Sequence, residues 1–469
     1  MLDAEGGWGK YPKQCTRAYW RYTTLSRLQV EYHSVRRYGI TIRFSVIVLL
    51  VVIVVFLRFF ALERNGIVFK LVEIFNNAST TKEEIERMFK LRTILSAIPL
   101  LGMLFAASAE DVKLFLPETI YAVPGIEMNV YFNNIVTVIN PANYVFDVNC
   151  PKGVNQLKRW CFTPEDADVG SYDWKIQVIS QNGTVATGES KLVVLPRNAG
   201  EGKKIAMLMV GASQTNAGHY PNRVAELMSR PGNPEFTPLG TKGGGPGKHE
   251  GYGGWRWESF LTRWGYTGNS KNDGMHPDRP VGFNSPFMFP ANDGKGVFDL
   301  KQYFDKKCGG KLPDIVSFQL GLNDFFLADD TTIAEITEKS LANMEKLIAE
   351  FRKLAPAPKI MIFQHIPGAG QDGFGKSYRC GRTSWQYRKN LDHYNRMLLK
   401  KGKELNVTVV PVYINIDTEN NYPLLEQPIN QENPALTVRQ DNGVHPAKAG
   451  YYQMGDTLYC WIKSLLADK

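Results

Sequence analysis

The chain has six cysteines, and no two of them are spaced as C-x-x-C. A zinc knuckle or a thioredoxin-like dithiol is therefore not indicated. The 469 residues contain no internal repeat and no nucleic-acid-binding motif. The glycine-rich run "TKGGGPGKHE" has His249 where a phosphate-binding loop needs Ser or Thr, so it reads as a rim loop. Net charge is also scarce over most of the chain. Residues 1–87 hold 13 Lys/Arg against 8 Asp/Glu, and Lys90 and Arg92 follow, leaving only about +2 of the total +9 for residues 110–469. That excludes a broad polyanion-binding face in the later chain. A hydrophobic content of 43% with 22% charged residues is that of a globular protein. The length calls for more than one domain.

Long apolar runs are confined to the N-terminal end. "FSVIVLLVVIVVFLRFFAL" (44–62) follows eight Lys/Arg and is broken only by Arg58. It reads as a membrane helix with its N-terminus in the cytoplasm. The segment 88–109 has a different pattern: Lys90 and Arg92, an apolar core from Thr93 to Ala106, then Ala107-Ser108-Ala109. These are the parts of a secretory signal peptide. A signal beginning at Met88 suggests that residues 1–87 are translated upstream sequence; a two-span anchor is the alternative. Either way residues 110–469 are expected to be exported, and the membrane is met only through these N-terminal segments.

Residues 110–197 hold short β-rich runs, among them "EMNVYF", "DWKIQVI" and "KLVVL", separated by Pro, Gly, Asn and Asp. The rhythm predicts a small, immunoglobulin-like β-sandwich. Cys150 and Cys161 fall in it and could cross-link neighbouring strands in an exported domain. Residues 198–204 read as a linker. From 205 to 469 continuous apolar runs ("IAMLMV", "DIVSFQL", "KIMIFQ", "VTVVPVY") alternate with helical patterns. This predicts a parallel sheet between helix layers, a flavodoxin-like three-layer α/β/α sandwich with its site at the carboxyl ends of the strands.

Four features carry candidate chemistry. Ser213 follows the first buried strand in "VGASQT", either as a nucleophile or as a turn residue. Gly254 ends a Gly-Gly pair before a helix, where a bare N–H can approach a substrate. Asn323 in "GLND" can serve as an oxyanion donor or cap an Asx-turn. His445 in "DNGVHPAKAGY" lies just before the last helix. Unlike His219, His249, His276, His365 and His393, it combines a nearby carboxylate, a rigid Pro446 and a place after the last strand.

In this order the four blocks resemble those of the SGNH (GDSL-type) hydrolases over about residues 203–467. The resemblance implies Ser213 as nucleophile and His445 as general base. It also implies an oxyanion hole made by the N–H groups of Ser213 and Gly254 with the Asn323 side chain, and no cofactor or metal. Two positions depart from the family pattern. Ala212 replaces the usual Asp before the serine, and Asn442 stands where the triad acid belongs, three residues before the histidine. Asp441, one step further away, is expected to orient His445 in its place. Trp255, Asp324 and Trp385 are candidate cleft residues.

The implied activity is that of an exported ester hydrolase removing O-acetyl or other acyl groups from carbohydrate. A lipase- or lysophospholipase-like esterase is the alternative within that class. A non-catalytic carbohydrate-binding surface protein on a decayed hydrolase fold is the alternative outside it.

Overall fold

The computed structural model describes residues 112–265 and 284–467. The apolar segment 44–62 and the signal-like segment 88–109 lie outside them. Among the described residues no helix is long and apolar enough to cross a membrane.

The N-terminal module is built of seven strands: β1 (Thr119–Ala122), β2 (Met128–Tyr131), β3 (Val145–Asn149), β4 (Val154–Asn155), β5 (Arg159–Phe162), β6 (Gly170–Ser180) and β7 (Gly183–Val194). They form one sheet in the order β1-β7-β6-β3 and another in the order β2-β5-β4. All pairs are antiparallel except β1 with β7. The alternation in β6 turns Trp174, Ile176 and Val178 inward, as the two-residue period of a strand requires. Trp174 meets Trp160 of β5 edge-on, with ring centroids 6.1 Å apart, so the two sheets share an apolar interior.

Cys150 and Cys161 are free thiols, which corrects the expected cross-link. Cys150 follows β3 in one sheet, and Cys161 sits within β5 of the other, opposite Asn129 and Val154. Burial raises the pKa of both thiols.

The second part begins with β8 (Lys204–Gly211), followed by α1 (Ser213–Asn216), α2 (His219–Met228), β9 (Glu235–Leu239), β10 (Glu250–Gly251) and α3 (Trp257–Thr262). A small hairpin, β11 (Met288–Pro290) with β12 (Gly296–Phe298), leads to α4 (Leu300–Lys307). Then come β13 (Ile315–Gln319), α5 (Ile333–Arg352), β14 (Lys359–Phe363), α6 (Gln371–Tyr378), α7 (Ser384–Glu404) and β15 (Thr408–Val410). The hairpin β16 (Leu424–Asn430) and β17 (Asn433–Gln440) precedes the last helix, α8 (Lys448–Leu466).

Strands β8, β13, β14 and β15 run parallel in that order. Two short strands share the edge beyond β8: β9 lies along Lys204–Leu208 and β10 along Val210–Gly211. The resulting order, 2-1-3-4-5, is that of a flavodoxin-like sheet. Successive residues of β8 feed opposite layers. Ile205, Met207 and Met209 pack with Tyr220, Val224, Leu458 and Ile462 of α2 and α8. Ala206, Leu208 and Val210 pack with Leu341, Met344, Leu391 and Leu398 of α5 and α7. The apolar run is continuous because both faces of the strand are covered.

The two parts share one core. Residues of the N-terminal sheets and of 412–416 lie in a single apolar cluster with β8, α2 and α8. Buried amides fasten the contact: Asn129 donates to Asn415 Oδ1 from both its backbone and its side chain, each at 2.9 Å. Asn134 Nδ2 donates to the Tyr413 and Ile416 carbonyls at 2.8 and 2.7 Å. The stretch expected as a linker is a string of turns in which Ala199 and Gly200 are buried, Gly200 against Leu466.

Candidate active site

Chain order diverges between β8 and β13. A parallel sheet opens a crevice there at its carboxyl ends. Ser213 leaves β8 on one side of it. A Cβ on Gly211 would fall 1.9 Å from Thr215 Oγ1, so only glycine lets the strand turn this sharply into α1. The Ser213 hydroxyl lies 2.8 Å from His445 Nε2. That is hydrogen-bond contact between two residues 232 positions apart in sequence.

Asn323 leaves β13 on the other side, in the helical turn Leu322–Phe325. Gly321 precedes it at φ +125°; a side chain there would strike the Tyr394 hydroxyl and His365. The Asn323 amide donates to the Trp255 carbonyl at 2.8 Å, and Arg256 Nε donates back to the Asn323 carbonyl at 3.0 Å. The glycine and asparagine blocks are thus stapled to each other. Gly254 sits in the preceding turn at φ +78°. Among the described residues, neither the Ser213 nor the Gly254 backbone N–H is taken by another backbone group. For Ser213 this follows from its place in the first turn of a helix.

A buried carboxylate anchors the approach to Gly254. Glu250 accepts hydrogen bonds from the Thr241 N–H, the Tyr252 hydroxyl and the Tyr303 hydroxyl, each at 2.7 Å. Burial and then the Glu250 charge raise the pKa of both phenols, so they stay donors. Neighbouring His249 is held at about 4 by burial and by Lys242 and Lys248, and is neutral near pH 7.

Two glutamines tie the pieces together. Gln319, at the end of β13, donates through Nε2 to Gln214 Oε1 at 2.7 Å. Gln214 in turn donates to the Val444 carbonyl at 2.8 Å. Both side chains are buried. The residue after the serine therefore grips the residue before the histidine. Sequence reasoning overlooked both; the trace it left was Gln319, a buried polar side chain at the end of a buried strand.

Asn442 Oδ1 accepts from the Val444 and His445 N–H groups at 3.1 and 2.9 Å, capping the loop onto itself. The Asp441 carboxylate lies 3.5 Å from Lys376 Nζ of α6. Asn442, at the usual place of the triad acid, thus holds the backbone of the histidine loop.

The candidate cleft residues divide. Trp255 is fully buried, stacked on Tyr252 at 4.1 Å, and belongs to the core. Asp324 turns inward to Ser340 and the Trp257 N–H. Burial, opposed by Arg256, pushes its carboxyl up to about 7. Trp385 alone lines open space: a cavity of about 750 Å³ between α7, the β16–β17 hairpin and the N-terminal module. Among the described residues no three His, Cys, Asp or Glu side chains are grouped to hold a metal ion.

Residues 250–453 match the GDSL-like Lipase/Acylhydrolase family. The domain carrying this site belongs to the SGNH (GDSL-type) hydrolases. The matched stretch includes Gly254, Asn323 and His445, while Ser213 lies ahead of it and is placed beside His445 by the fold. Solved structures similar to the chain include an inhibitor-bound aryl esterase of M. smegmatis and the carbohydrate acetylesterase Est24 from Sinorhizobium meliloti. Each is 14% identical with a TM-score of 0.33, over 56% of this chain and 100% of the other. A gut microbial diltiazem-metabolizing enzyme is similar at 13% identity and a TM-score of 0.32 over 56% of this chain; the aligned part is about half, 47%, of that protein's length. At these scores the likenesses carry no argument about substrate. No curated protein matches the chain.

Proposed function

We propose that the protein is an exported serine esterase that removes O-acetyl or related acyl groups from carbohydrate. The observation that supports it is the 2.8 Å contact between Ser213 Oγ and His445 Nε2, within a GDSL-family domain. As Ser213 Oγ attacks the ester carbonyl carbon, His445 Nε2 takes its proton. The Ser213 and Gly254 N–H groups with the Asn323 amide then hold the oxyanion. Collapse breaks the ester C–O bond, and the alcohol leaves with the proton from His445. Water, deprotonated by the same histidine, hydrolyses the acyl-serine and frees the acid. Asn442 and Gln214 keep the histidine loop in place by bonds to its backbone. The N-terminal module is read as an immunoglobulin-like accessory to the hydrolase.

One observation favours a lipid ester as the second reading. The β16–β17 hairpin, which runs directly into the histidine loop, exposes Leu424, Leu436 and Val438 by more than half.

The test is hydrolysis of an aryl acetate by the full chain beside Ser213→Ala and His445→Ala. Each variant is expected to lose at least ~10³-fold in kcat, as nucleophile and base removals do in serine hydrolases. A fluorophosphonate is expected to label Ser213. Undiminished hydrolysis by Ser213→Ala, or labelling of another residue, rejects the assignment.

A further inference from the structure

The cavity beside Trp385 has no part in the reaction just described, yet one of its loops is bonded to the loop that carries His445. Its floor is the loop 367–370, which is bonded to the histidine loop: Ala369 N–H donates to the Gly443 carbonyl at 3.0 Å, and Gly370 N–H to Gln440 Oε1 at 2.6 Å. One wall comes from α7, one from the β16–β17 hairpin, and one from the N-terminal module through Asn133 and the exposed Ile139. That last wall is fixed. Asn133 Nδ2 donates to Thr418 Oγ1 at 2.9 Å, and Arg388 of α7 donates to the Val136 carbonyl at 2.5 Å. About 750 Å³ is room for several sugar rings and within the range of small-molecule sites.

The chemistry of the walls selects the occupant. Apolar surface is present but interrupted: Trp385, Ile139, Leu424 and Val438 alternate with amide, hydroxyl and charged groups from every wall. A fatty acyl chain would desolvate those polar groups without pairing them, at a cost. A pyranose chain presents C–H faces to the aromatic and aliphatic patches and hydroxyl edges to the polar groups between them. The four charged side chains are Asp372 and Glu419 against Arg388 and Arg439, so the lining is balanced and favours an uncharged chain over a polyanion.

We infer that this cleft is a glycan subsite, built jointly by the N-terminal module and the hydrolase domain, which holds an uncharged polysaccharide against the loop 367–370 that is bonded to the histidine loop. The inference deepens the carbohydrate-esterase reading and rests on it for its biological role, but binding can be tested without catalysis. The probes are xylohexaose, cellohexaose, mannohexaose and chitohexaose, titrated calorimetrically into the full chain carrying Ser213→Ala. At least one is expected to bind, with Kd raised about tenfold or more by Trp385→Ala and also by Ile139→Asp. Ile139 is 77% exposed, so its replacement leaves the core intact and keeps the test sound if Trp385→Ala fails to fold.

In the active chain, the ratio of kcat/KM on the acetylated form of the bound polymer to that on an aryl acetate is expected to fall by a similar factor in both variants. Binding of a hexaose without any esterase activity would keep the subsite and reject the enzyme reading. Three results overturn the subsite: no hexaose binds, binding is indifferent to both substitutions, or dodecanoate displaces the bound hexaose while binding more tightly.

Discussion

The two sides of the reacting pair are held in different ways. On the serine side, Ser213, Gly254 and Asn323 hang from the ends of strands buried on both faces. Reciprocal bonds such as Asn323 to the Trp255 carbonyl and Arg256 to the Asn323 carbonyl join them. On the histidine side, His445 rides a loop between an exposed hairpin and α8, fastened by the Asn442 cap, by Gln214, and by Ala369 and Ser377 on Gly443. The serine side is placed by the sheet, and a change there disturbs several elements. The histidine side is placed by a few local bonds that can be removed singly.

The sharpest test of this contrast lies on the serine side. If the Asn323 amide both staples the Gly254 turn and faces the oxyanion, Asn323→Ala should lower kcat on an aryl acetate by about 10²–10³-fold with little change in KM. A rise in KM at constant kcat would assign it to binding instead. On the histidine side, Asn442→Ala, which removes the cap on the His445 N–H, should reduce kcat about tenfold. Asp441→Asn should cost more, toward the ~10⁴ lost with a triad acid, if Asp441 orients His445 as the sequence suggests. A loss from Asp441→Asn below about threefold would remove it from the acid's role.

The smallest effect concerns stability. Asp324 has its carboxyl raised to about 7 in the fold. The unfolded chain releases that proton near pH 4. Its contribution is therefore fully present below about pH 4 and is lost as pH rises to about 7. Asp324→Asn should abolish that dependence, gaining on the native chain between pH 4 and 7 by at most on the order of 2–4 kcal/mol. Equal spacing of the two melting temperatures at pH 4.5 and pH 7.5 would contradict it.

Legibility in the sequence follows the same division. Strands β8, β13 and β14 announce themselves because burial on both faces makes their apolar runs continuous. The serine and asparagine blocks could be located from those runs, and the glycine block from its Gly-Gly pair before a helix. The paired edge strands β9 and β10 escaped notice: β9 carries Pro238 and is half-exposed, and β10 is two residues long. The hairpin 424–440 faces solvent and offers little burial pattern.

At the site, the spacing of Asp441 to His445 was visible, but the direction of its side chain was not. The Asn442 cap and the contact of Asp441 with Lys376 arise only in three dimensions. Trp255 misled for a related reason: an aromatic beside a glycine turn suits a cleft as well as a core, and only the packing of Tyr252 and Phe260 distinguishes them.

The apolar cluster shared by the N-terminal sheets and residues 412–416 has an evolutionary corollary. A module joined by a flexible tether can be lost, duplicated or exchanged between proteins while its neighbour keeps working. Here excision before β8 would leave Tyr413, Ile414 and Ile416 facing water, so the two halves must be inherited as a pair. A substitution such as one at Asn134 would then invite compensation nearly three hundred residues away.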